Sequence, residues 1–338
     1  MNSERKIRMV EKIALDLSYL KYPLPEELGK ELEEEIKKVN LYPSGDYDKL
    51  RRKFAEYVKV KKENILPGNG LDEVIDLITR AWKGKILIPL PTFSQFEIAA
   101  NREGSEKILV DCFKNNTYSI GYSKEHLSEA SLVWICNPNN PTGDQIPREK
   151  IIYILKESRG MVAVDECYYE YSGETVIDLI DEFNNLIVLR SFSKNFGLAG
   201  LRLGFAISAS GNIKKLESFR QIFNVNRIAE KLGEKVLDYI SYYQGIWEEI
   251  KSTRGEFIEK IKQIGFKPYD SYTNFVLVEF KNRKEAERAW KNLKKKGIYT
   301  FPAWSEEFSG LEGNFIRFTV GTEKEMNKTI EVLSTFKR

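Results

Sequence analysis

The sequence has few of the residues on which metal sites and nucleophilic triads depend. Its 338 residues include one histidine, His126, in a polar segment, and three widely spaced cysteines without a C-x-x-C pair. A serine–histidine triad or a histidine-ligated metal needs a histidine placed among partners, so both are nearly excluded and we expect no metal. Three scattered thiols are typical of a reduced cytoplasmic protein and not of a disulfide framework.

An excess of one charge and long hydrophobic runs are also missing. The 53 basic and 50 acidic side chains are interleaved and give a net charge of +3. This pattern offers no basic surface for nucleic acid. No apolar run reaches the length of a membrane span, and residues 1–16 lack the apolar core of a signal peptide. We therefore expect a cytoplasmic chain that binds neither nucleic acid nor membranes.

The order of predicted elements indicates two domains. Up to about residue 207, apolar strands alternate with helices and polar loops at the spacing of parallel β-α-β units. Beyond about residue 212 the pattern becomes that of a smaller α+β domain. We predict an N-terminal arm and helix over residues 1–40 that packs with the small domain or a partner subunit. The large domain is predicted over 41–235 and the small domain over 236–338.

Hydrophobic periodicity and turn residues predict the individual elements. Strands are expected over residues 85–88, 131–136, 161–164, 186–189, 203–207, 274–280 and 314–320. Helices are expected over residues 25–40, 71–78, 95–101, 147–158, 175–181 and 285–296, after an N-cap at Asp46, through a region between about 212 and 264, and from Glu323. Residues 64–70 predict a glycine turn.

Four polar loops follow strands or open helices, at the edge where open α/β sheets bind ligands. The turn Gly70-Leu71-Asp72 opens a helix whose free N–H groups form an anion site, although a glycine that only turns the chain is an equal alternative. Two more loops are 137–143, stiffened by prolines, and 165–168. In the fourth, Lys194 can hold a carbonyl cofactor as a Schiff base, whereas a lone Ser-x-Lys more often marks a solvated lysine.

Three motifs occur together in a characteristic order. They are Asn140-Pro141-Thr142-Gly143, Ser191-Phe192-Ser193-Lys194 and Gly200-Leu201-Arg202-Leu203-Gly204. The chain thereby resembles the fold-type I pyridoxal-phosphate enzymes of the class I/II aminotransferase group, and is most similar to the histidinol-phosphate aminotransferases. The resemblance covers residues 42–321. It implies an α/β fold, the PLP-dependent transferase fold type I, with a mostly parallel central sheet flanked by helices and a smaller α+β domain. It also implies pyridoxal 5'-phosphate as cofactor and a homodimer with the active site at the subunit interface.

The resemblance and the cofactor chemistry together assign catalytic roles. Lys194 supplies the amine that holds the cofactor aldehyde and, once substrate frees it, moves a proton. Asp165 follows an apolar strand and keeps the pyridine nitrogen protonated. Asn140 and Tyr168 match the family's donors to the phenolic oxygen. Because Asp165 and Tyr168 are three residues apart, both reach one ring only if the chain turns at Glu166-Cys167.

The family pattern also implies how the cofactor phosphate and ring are held. A phosphate dianion is bound by backbone N–H groups, hydroxyls and a guanidinium. The matching positions are Gly70, Leu71, Asp72, Ser191, Ser193 and Arg202. Phe93 matches the aromatic residue that stacks on the pyridine. Tyr42 matches the tyrosine that reaches the phosphate of the neighbouring subunit's cofactor.

Substrate recognition departs from the family pattern. Arg317 matches the arginine that clamps the substrate's acidic group, and one guanidinium accepts a carboxylate or a phosphate; the alternative is a surface arginine on a strand. Residues 300–303 carry no arginine where the histidinol-phosphate enzymes usually have one, and residues 17–23 replace their N-terminal Asn-Glu-Asn-Pro pattern. The candidate replacements are Tyr19, Tyr22 and Asn226.

The leading functional hypothesis is transamination between histidinol phosphate and 2-oxoglutarate in histidine biosynthesis, through ping-pong half-reactions on Lys194. Threonine-phosphate decarboxylase of cobalamin synthesis and an aromatic or broad-specificity amino-acid aminotransferase are the alternatives, since they share the cofactor site. A cofactor-binding regulator is disfavoured, because about forty residues before Tyr42 leave no room for a typical DNA-binding domain.

Overall fold

The computed structural model describes residues 12–115, 117–305, 308–311 and 313–337, which form two main β-sheets covered by helices. The α-helices are α1 (Glu26–Ile36), α2 (Asp48–Val58), α3 (Gly70–Ala81), α4 (Gln95–Arg102), α5 (Lys124–Glu129), α6 (Arg148–Glu157), α7 (Tyr169–Ser172), α8 (Ser210–Glu217), α9 (Arg227–Val236), α10 (Ile240–Gln263), α11 (Arg283–Lys295) and α12 (Glu323–Lys337). Short 3₁₀ helices lie at Lys62–Asn64, Ile177–Asp181, Ala199–Leu201 and Leu237–Tyr239.

The strands are numbered in chain order and form the two main sheets and two small two-stranded sheets, β4 with β15 and β6 with β7. They are β1 (Ile13–Leu15), β2 (Ile65–Asn69), β3 (Lys85–Leu90), β4 (Thr92–Phe93), β5 (Glu106–Asp111), β6 (Phe113–Lys114), β7 (Thr117–Tyr118), β8 (Leu132–Cys136), β9 (Met161–Asp165), β10 (Leu186–Ser191), β11 (Leu203–Ser208), β12 (Lys267–Pro268), β13 (Phe275–Glu279), β14 (Ile298–Pro302), β15 (Phe308–Ser309) and β16 (Phe315–Thr319).

The larger sheet has seven strands in the order β2-β11-β10-β9-β8-β3-β5. The five strands from β10 to β5 are parallel, and β11 runs antiparallel to both of its neighbours. Every residue of β8, β9 and β10 is buried. Central parallel strands covered on both faces are apolar along most of their length, which is why these strands can be recognised as apolar runs that become polar only at their ends. The prediction of a mostly parallel α/β sheet is confirmed.

The smaller sheet has five strands in the order β1-β14-β16-β13-β12. Its strands pair antiparallel except β1, which runs parallel to β14 and pairs Ile13 with Ile298. The first described residues of the chain therefore join a sheet that is built mainly from its C-terminal part. The predicted domain boundaries after residues 40 and 235 stay a prediction.

Several helix boundaries differ from those expected. The second helix begins at Asp48 after Tyr47, whose φ of 52° is left-handed, and Asp46 is not its N-cap. The carboxylate of Asp46 accepts a hydrogen bond from the N–H of Asp48, which belongs to a turn ahead of the helix. Residues 175–181 contain a 3₁₀ helix in place of the α-helix that was expected. The helical region between about 212 and 264 divides into α8, α9 and α10.

The strand β2 was not expected, because its sequence contains Pro67 and Gly68. Proline cannot donate a ladder hydrogen bond, but it is tolerated at a sheet edge, and β2 is an edge strand. The opposite edge strand, β5, was missed as well, since its residues are mostly half-buried or exposed and lack a continuous apolar run. Among the described residues no helix combines the length and apolarity that crossing a membrane requires.

Candidate active site

The parallel strands deliver their last residues to one edge of the large sheet. The register pairs Cys136 with Asp165, and Asp165 with Leu189 two residues before Ser191. At this edge lies a cavity of about 190 Å³. Its lining residues are Leu71, Asp72, Phe93, Cys136, Asn140, Asp165, Cys167, Tyr168, Ser191, Ser193, Lys194 and Arg202. All but the two cysteines were predicted from the sequence to contact the cofactor.

Asp165 is the last residue of β9 and is only 2% exposed. The chain turns directly after it, because its carboxylate accepts a hydrogen bond from the N–H of Cys167 at 3.0 Å and α7 begins at Tyr169. Tyr168 consequently lines the same cavity, as the required turn at Glu166-Cys167 implied. Burial raises the pKa of Asp165 to about 6, and the Cys167 hydrogen bonds and the charge of Lys194 oppose the rise.

The wall formed by α3 and Arg202 has the chemistry of an anion cup. The N-cap residue of α3, Asn69, makes no side-chain capping bond, so N–H groups of the first turn face outward from the helix end. Gly70 has a φ of +75°, and a Cβ there would lie 2.6 Å from Nη2 of Arg202. The same guanidinium donates to Asp72 at 2.7 Å. A phosphate bound here would compete with Asp72 for Arg202, and any side chain at position 70 would fill the cup.

Arg317 lies beside this cavity and is 1% exposed, so the surface alternative is wrong. It donates from Nη1 to Oδ1 of Asn140 at 2.6 Å and from Nη2 to the main-chain carbonyl of Asp16 at 2.7 Å. Since the amide oxygen of Asn140 is engaged, its NH₂ group is the part of the amide that remains to donate toward the cavity. The rings of Phe275 and Phe301 lie 5.1 and 5.2 Å from the guanidinium carbon.

The other predicted site residues do not line the cavity. Tyr42 is 77% exposed and stacks on Phe223 with ring centroids 4.7 Å apart. Tyr22 donates to Glu249, and Tyr19 is half-buried with a pKa raised by burial and by nearby carboxylates. Asn226 caps α9 by accepting from the N–H of Ala229. Their predicted roles in binding stay predictions.

Sequence reasoning missed a buried ionic cluster directly behind the cavity. Arg190 and Glu166 are 3% and 0% exposed as side chains and approach to 2.9 Å. Thr175 and the N–H of Val176 also donate to Glu166, and the guanidinium carbon of Arg190 stacks 3.6 Å from the centre of the Tyr169 ring. Burial raises the pKa of Glu166, whereas Arg190 lowers it. A charged residue at or just after the carboxyl end of each of two buried strands was the available signal, because such a charge requires a partner.

The two lining cysteines were also missed. Cys136 and Cys167 are 1% and 7% exposed; Cys136 is paired with Asp165 across neighbouring strands, and Cys167 donates its N–H to the Asp165 carboxylate. Burial raises the pKa of both thiols, so they act as small apolar residues with weak donors. The available signal was their position in the sequence, since Cys136 directly precedes the loop 137–143 and Cys167 lies within the loop 165–168.

The mostly parallel sheet brings together a lysine, a buried carboxylate and an anion cup at a helix start. An aromatic ring and an asparagine that is hydrogen-bonded to a buried arginine lie at the same edge. This fold and this set of residues define a pyridoxal-phosphate-dependent transferase of fold type I.

Comparison with known proteins agrees with this class. The family model Aminotransferase class I and II matches residues 10–333. The histidinol-phosphate aminotransferase of Caldanaerobacter subterraneus subsp. tengcongensis is 36% identical, and the match covers 95% of this chain and 92% of that protein. The chain belongs to the class I and II aminotransferase family, and it is a pyridoxal-phosphate-dependent aminotransferase.

Solved structures show the same fold. The crystal structure of the histidinol-phosphate aminotransferase from Clostridium acetobutylicum superimposes with a TM-score of 0.87 at 27% identity, covering 96% of this chain and 99% of that one. The Sinorhizobium meliloti histidinol-phosphate aminotransferase in complex with pyridoxal-5'-phosphate superimposes with a TM-score of 0.86 at 22% identity, covering 97% of this chain and 91% of that one. At that identity the second likeness concerns the fold alone.

Proposed function

We propose that this aminotransferase moves the amino group of histidinol phosphate to 2-oxoglutarate in cytoplasmic histidine biosynthesis. The observation that carries the proposal is the buried guanidinium of Arg317 beside the cofactor cavity, hydrogen-bonded to Asn140. A planar fork accepts a phosphate or a carboxylate in the same way, so one residue can serve both half-reactions. The names of the similar curated proteins support the same substrate.

The residues of the cavity suit the cofactor by charge and shape. The first turn of α3, the hydroxyls of Ser191 and Ser193 and the guanidinium of Arg202 would hold the phosphate. Asp165 would hold the positive charge of the ring nitrogen. When bound, the cofactor supplies an electron sink for the carbon that loses a proton.

Lys194 would carry the proton transfer. Its amine would hold the cofactor covalently in the resting enzyme, and once substrate had freed it the amine would serve as the base and acid that moves the proton at the substrate carbon. The raised pKa of Asp165 fits this arrangement, since a buried carboxylate without a positive partner is costly and binding a pyridinium supplies that partner.

Substrate binding would change the contacts of Arg317. Its Nη2 donates to the neutral main-chain carbonyl of Asp16. A phosphate or carboxylate is the stronger acceptor, because hydrogen bonds between ions are roughly twice as strong as neutral ones. The substrate's acidic group would therefore displace that carbonyl, which links substrate binding to the position of the arm.

The test of this function is a half-reaction survey. The pyridoxal form of the enzyme is mixed separately with histidinol phosphate, threonine phosphate, phenylalanine and aspartate, and conversion to the pyridoxamine form is followed by absorbance. Histidinol phosphate should react fastest, and Lys194→Ala should lose both the lysine-bound band and turnover. Release of carbon dioxide from threonine phosphate without a keto acid would instead establish the decarboxylase, and a faster reaction of phenylalanine would indicate an aromatic aminotransferase.

We further propose a homodimer in which Tyr42 of one subunit completes the site of the other. The support is an exposed apolar surface around Tyr42 that a monomer has no reason to keep in water. Val39, Leu41, Tyr42 and Phe223 are exposed and line one surface cavity. Mixed dimers of Lys194→Ala and Tyr42→Ala chains should regain part of the activity, because one of their two sites holds both native residues. Inactive mixtures, or a monomer by light scattering, would refute this assembly.

A further inference from the structure

The main-chain carbonyls of Lys194 and of the next residue are held by side chains from two other parts of the protein. The hydroxyl of Tyr171 donates to the carbonyl of Lys194 at 2.8 Å. The indole Nε1 of Trp247 donates to the next carbonyl, that of Asn195, at 2.7 Å. These two bonds act on consecutive carbonyls, so the peptide that carries the reactive lysine is fixed at two adjacent points.

The side chain of Asn195 adds a third point of attachment. Its Nδ2 donates to Oε2 of Glu170 and lies 3.4 Å from the carbonyl of Ser191. Asn195 is 1% exposed, Tyr171 3% and Trp247 7%, so these bonds form out of water. Buried donors and acceptors lose more when their partner is removed than exposed ones do, because water cannot replace it.

The groups that hold this peptide come from elements with different roles. Tyr171 and Glu170 belong to α7, which starts four residues after Asp165, whereas Trp247 belongs to the long helix α10. The peptide is thus tied both to the segment that carries the carboxylate and to a distant helix. Lysine has four rotatable side-chain bonds, so its amine reaches one point reproducibly only if its main chain is fixed.

We propose that Tyr171 and Trp247 are positioning residues for Lys194, which hold its main chain where the amine meets the cofactor aldehyde. The inference rests on the proposed role of Lys194 as the covalent anchor. If the two residues only supported the fold, their loss would weaken the non-covalent contacts with the cofactor as well as the covalent bond.

The two forms of the cofactor separate these possibilities. Pyridoxal phosphate forms a covalent bond with the lysine. Pyridoxamine phosphate has no aldehyde and is held by non-covalent contacts alone. The affinities of both are measured by titrating the full-length protein after removal of its cofactor. In Tyr171→Phe and Trp247→Phe, binding of pyridoxal phosphate should weaken about three- to tenfold, the equivalent of one lost buried hydrogen bond, while binding of pyridoxamine phosphate stays as in wild type.

The chain offers a matched control for each variant. Among the described residues, neither the hydroxyl of Tyr243 nor the indole N–H of Trp134 has a hydrogen-bond partner, and both side chains are buried. Tyr243→Phe and Trp134→Phe thus remove the same groups without removing a bond, and should bind both cofactor forms as wild type does.

The outcomes are distinct. Equal weakening of the binding of both cofactor forms would mean that the two residues only support the fold of the cofactor site. Unchanged binding of both forms would mean that the residues do not position the lysine. Either result overturns the inference. Lys194→Ala distinguishes this from a failure of the proposed function, because a lysine-bound absorbance band that persists in that variant would show that Lys194 is not the anchor.

Discussion

Replacing Asp165 by asparagine should raise the free energy of unfolding of the cofactor-free protein. The same substitution should weaken its binding of the cofactor. In the absence of cofactor, burial raises the pKa of this carboxyl from 3.8 to about 6. The gap of roughly 2 pH units corresponds to about 3 kcal/mol, at about 1.36 kcal/mol per unit. The charged carboxylate therefore costs the folded protein about 3 kcal/mol at neutral pH, which an uncharged amide of nearly the same shape avoids.

The sign of the pH dependence follows from proton binding. Between pH 3.8 and about 6 the folded chain holds a proton on Asp165 that the unfolded chain has lost. The contribution of Asp165 to the free energy of unfolding consequently falls as pH rises through this window, is fully unfavourable above it and disappears below it. The difference between Asp165→Asn and wild type should follow the same course.

Thermal unfolding of the cofactor-free proteins from about pH 4 to about pH 8 measures this difference. With an unfolding entropy of about 2.1 cal/mol/K per residue and 338 residues, 3 kcal/mol corresponds to a rise in Tm of roughly 4 °C at the alkaline end. Asp181→Asn, which removes a charge from an exposed side chain, is the control for net charge. An Asp165→Asn protein that is no more stable at pH 8, or whose advantage does not shrink on acidification, would refute the reasoning.

Three further substitutions test the remaining parts of the site. Gly70→Ala forces a side chain into a left-handed position and against Arg202, so unfolding measurements should show a loss of about 1 to 2 kcal/mol, and titration a weaker affinity for pyridoxal phosphate. Arg317→Lys lacks the planar fork, and steady-state kinetics should show KM rising about a hundredfold for both amino donor and keto acid. Glu166→Gln leaves Arg190 buried without its main partner, and chemical denaturation should show a loss of about 3 to 5 kcal/mol.

The parts of the fold that could be predicted are those in which burial dictates composition. The strands β8, β9 and β10 are covered on both faces, so each begins with an apolar run of four or five residues that is typical of a buried strand. The edge strands β2 and β5 escape this rule, because one carries proline and glycine and the other is largely exposed. These two segments are strands because they pair with a neighbouring strand, and that pairing cannot be predicted from the local sequence.

The residues of the site also fall into those that could be predicted from the sequence and those that could not. Residues at the ends of the central strands could be placed together, because the carboxyl ends of parallel strands meet at one edge. Asp165, Ser191 and Lys194 share a cavity for this reason. The support for Lys194 by Tyr171 and Trp247 could not be found this way, since the indole lies more than fifty residues away in the chain and an ordinary core tryptophan has the same local sequence pattern.

One contact of Arg317, the proposed substrate-binding arginine, cannot be found from side-chain motifs. The arm meets Arg317 through the carbonyl of Asp16, and every amino acid at position 16 would offer the same carbonyl. The position of that carbonyl is set instead by pairing of β1 with β14, in which Leu15 lies opposite Thr300. A change of register between these strands would move the carbonyl away from the guanidinium while leaving every motif residue in place. The residues at the strand ends can therefore be found from side-chain motifs, whereas the contacts of Arg317 also depend on the register of a short edge strand.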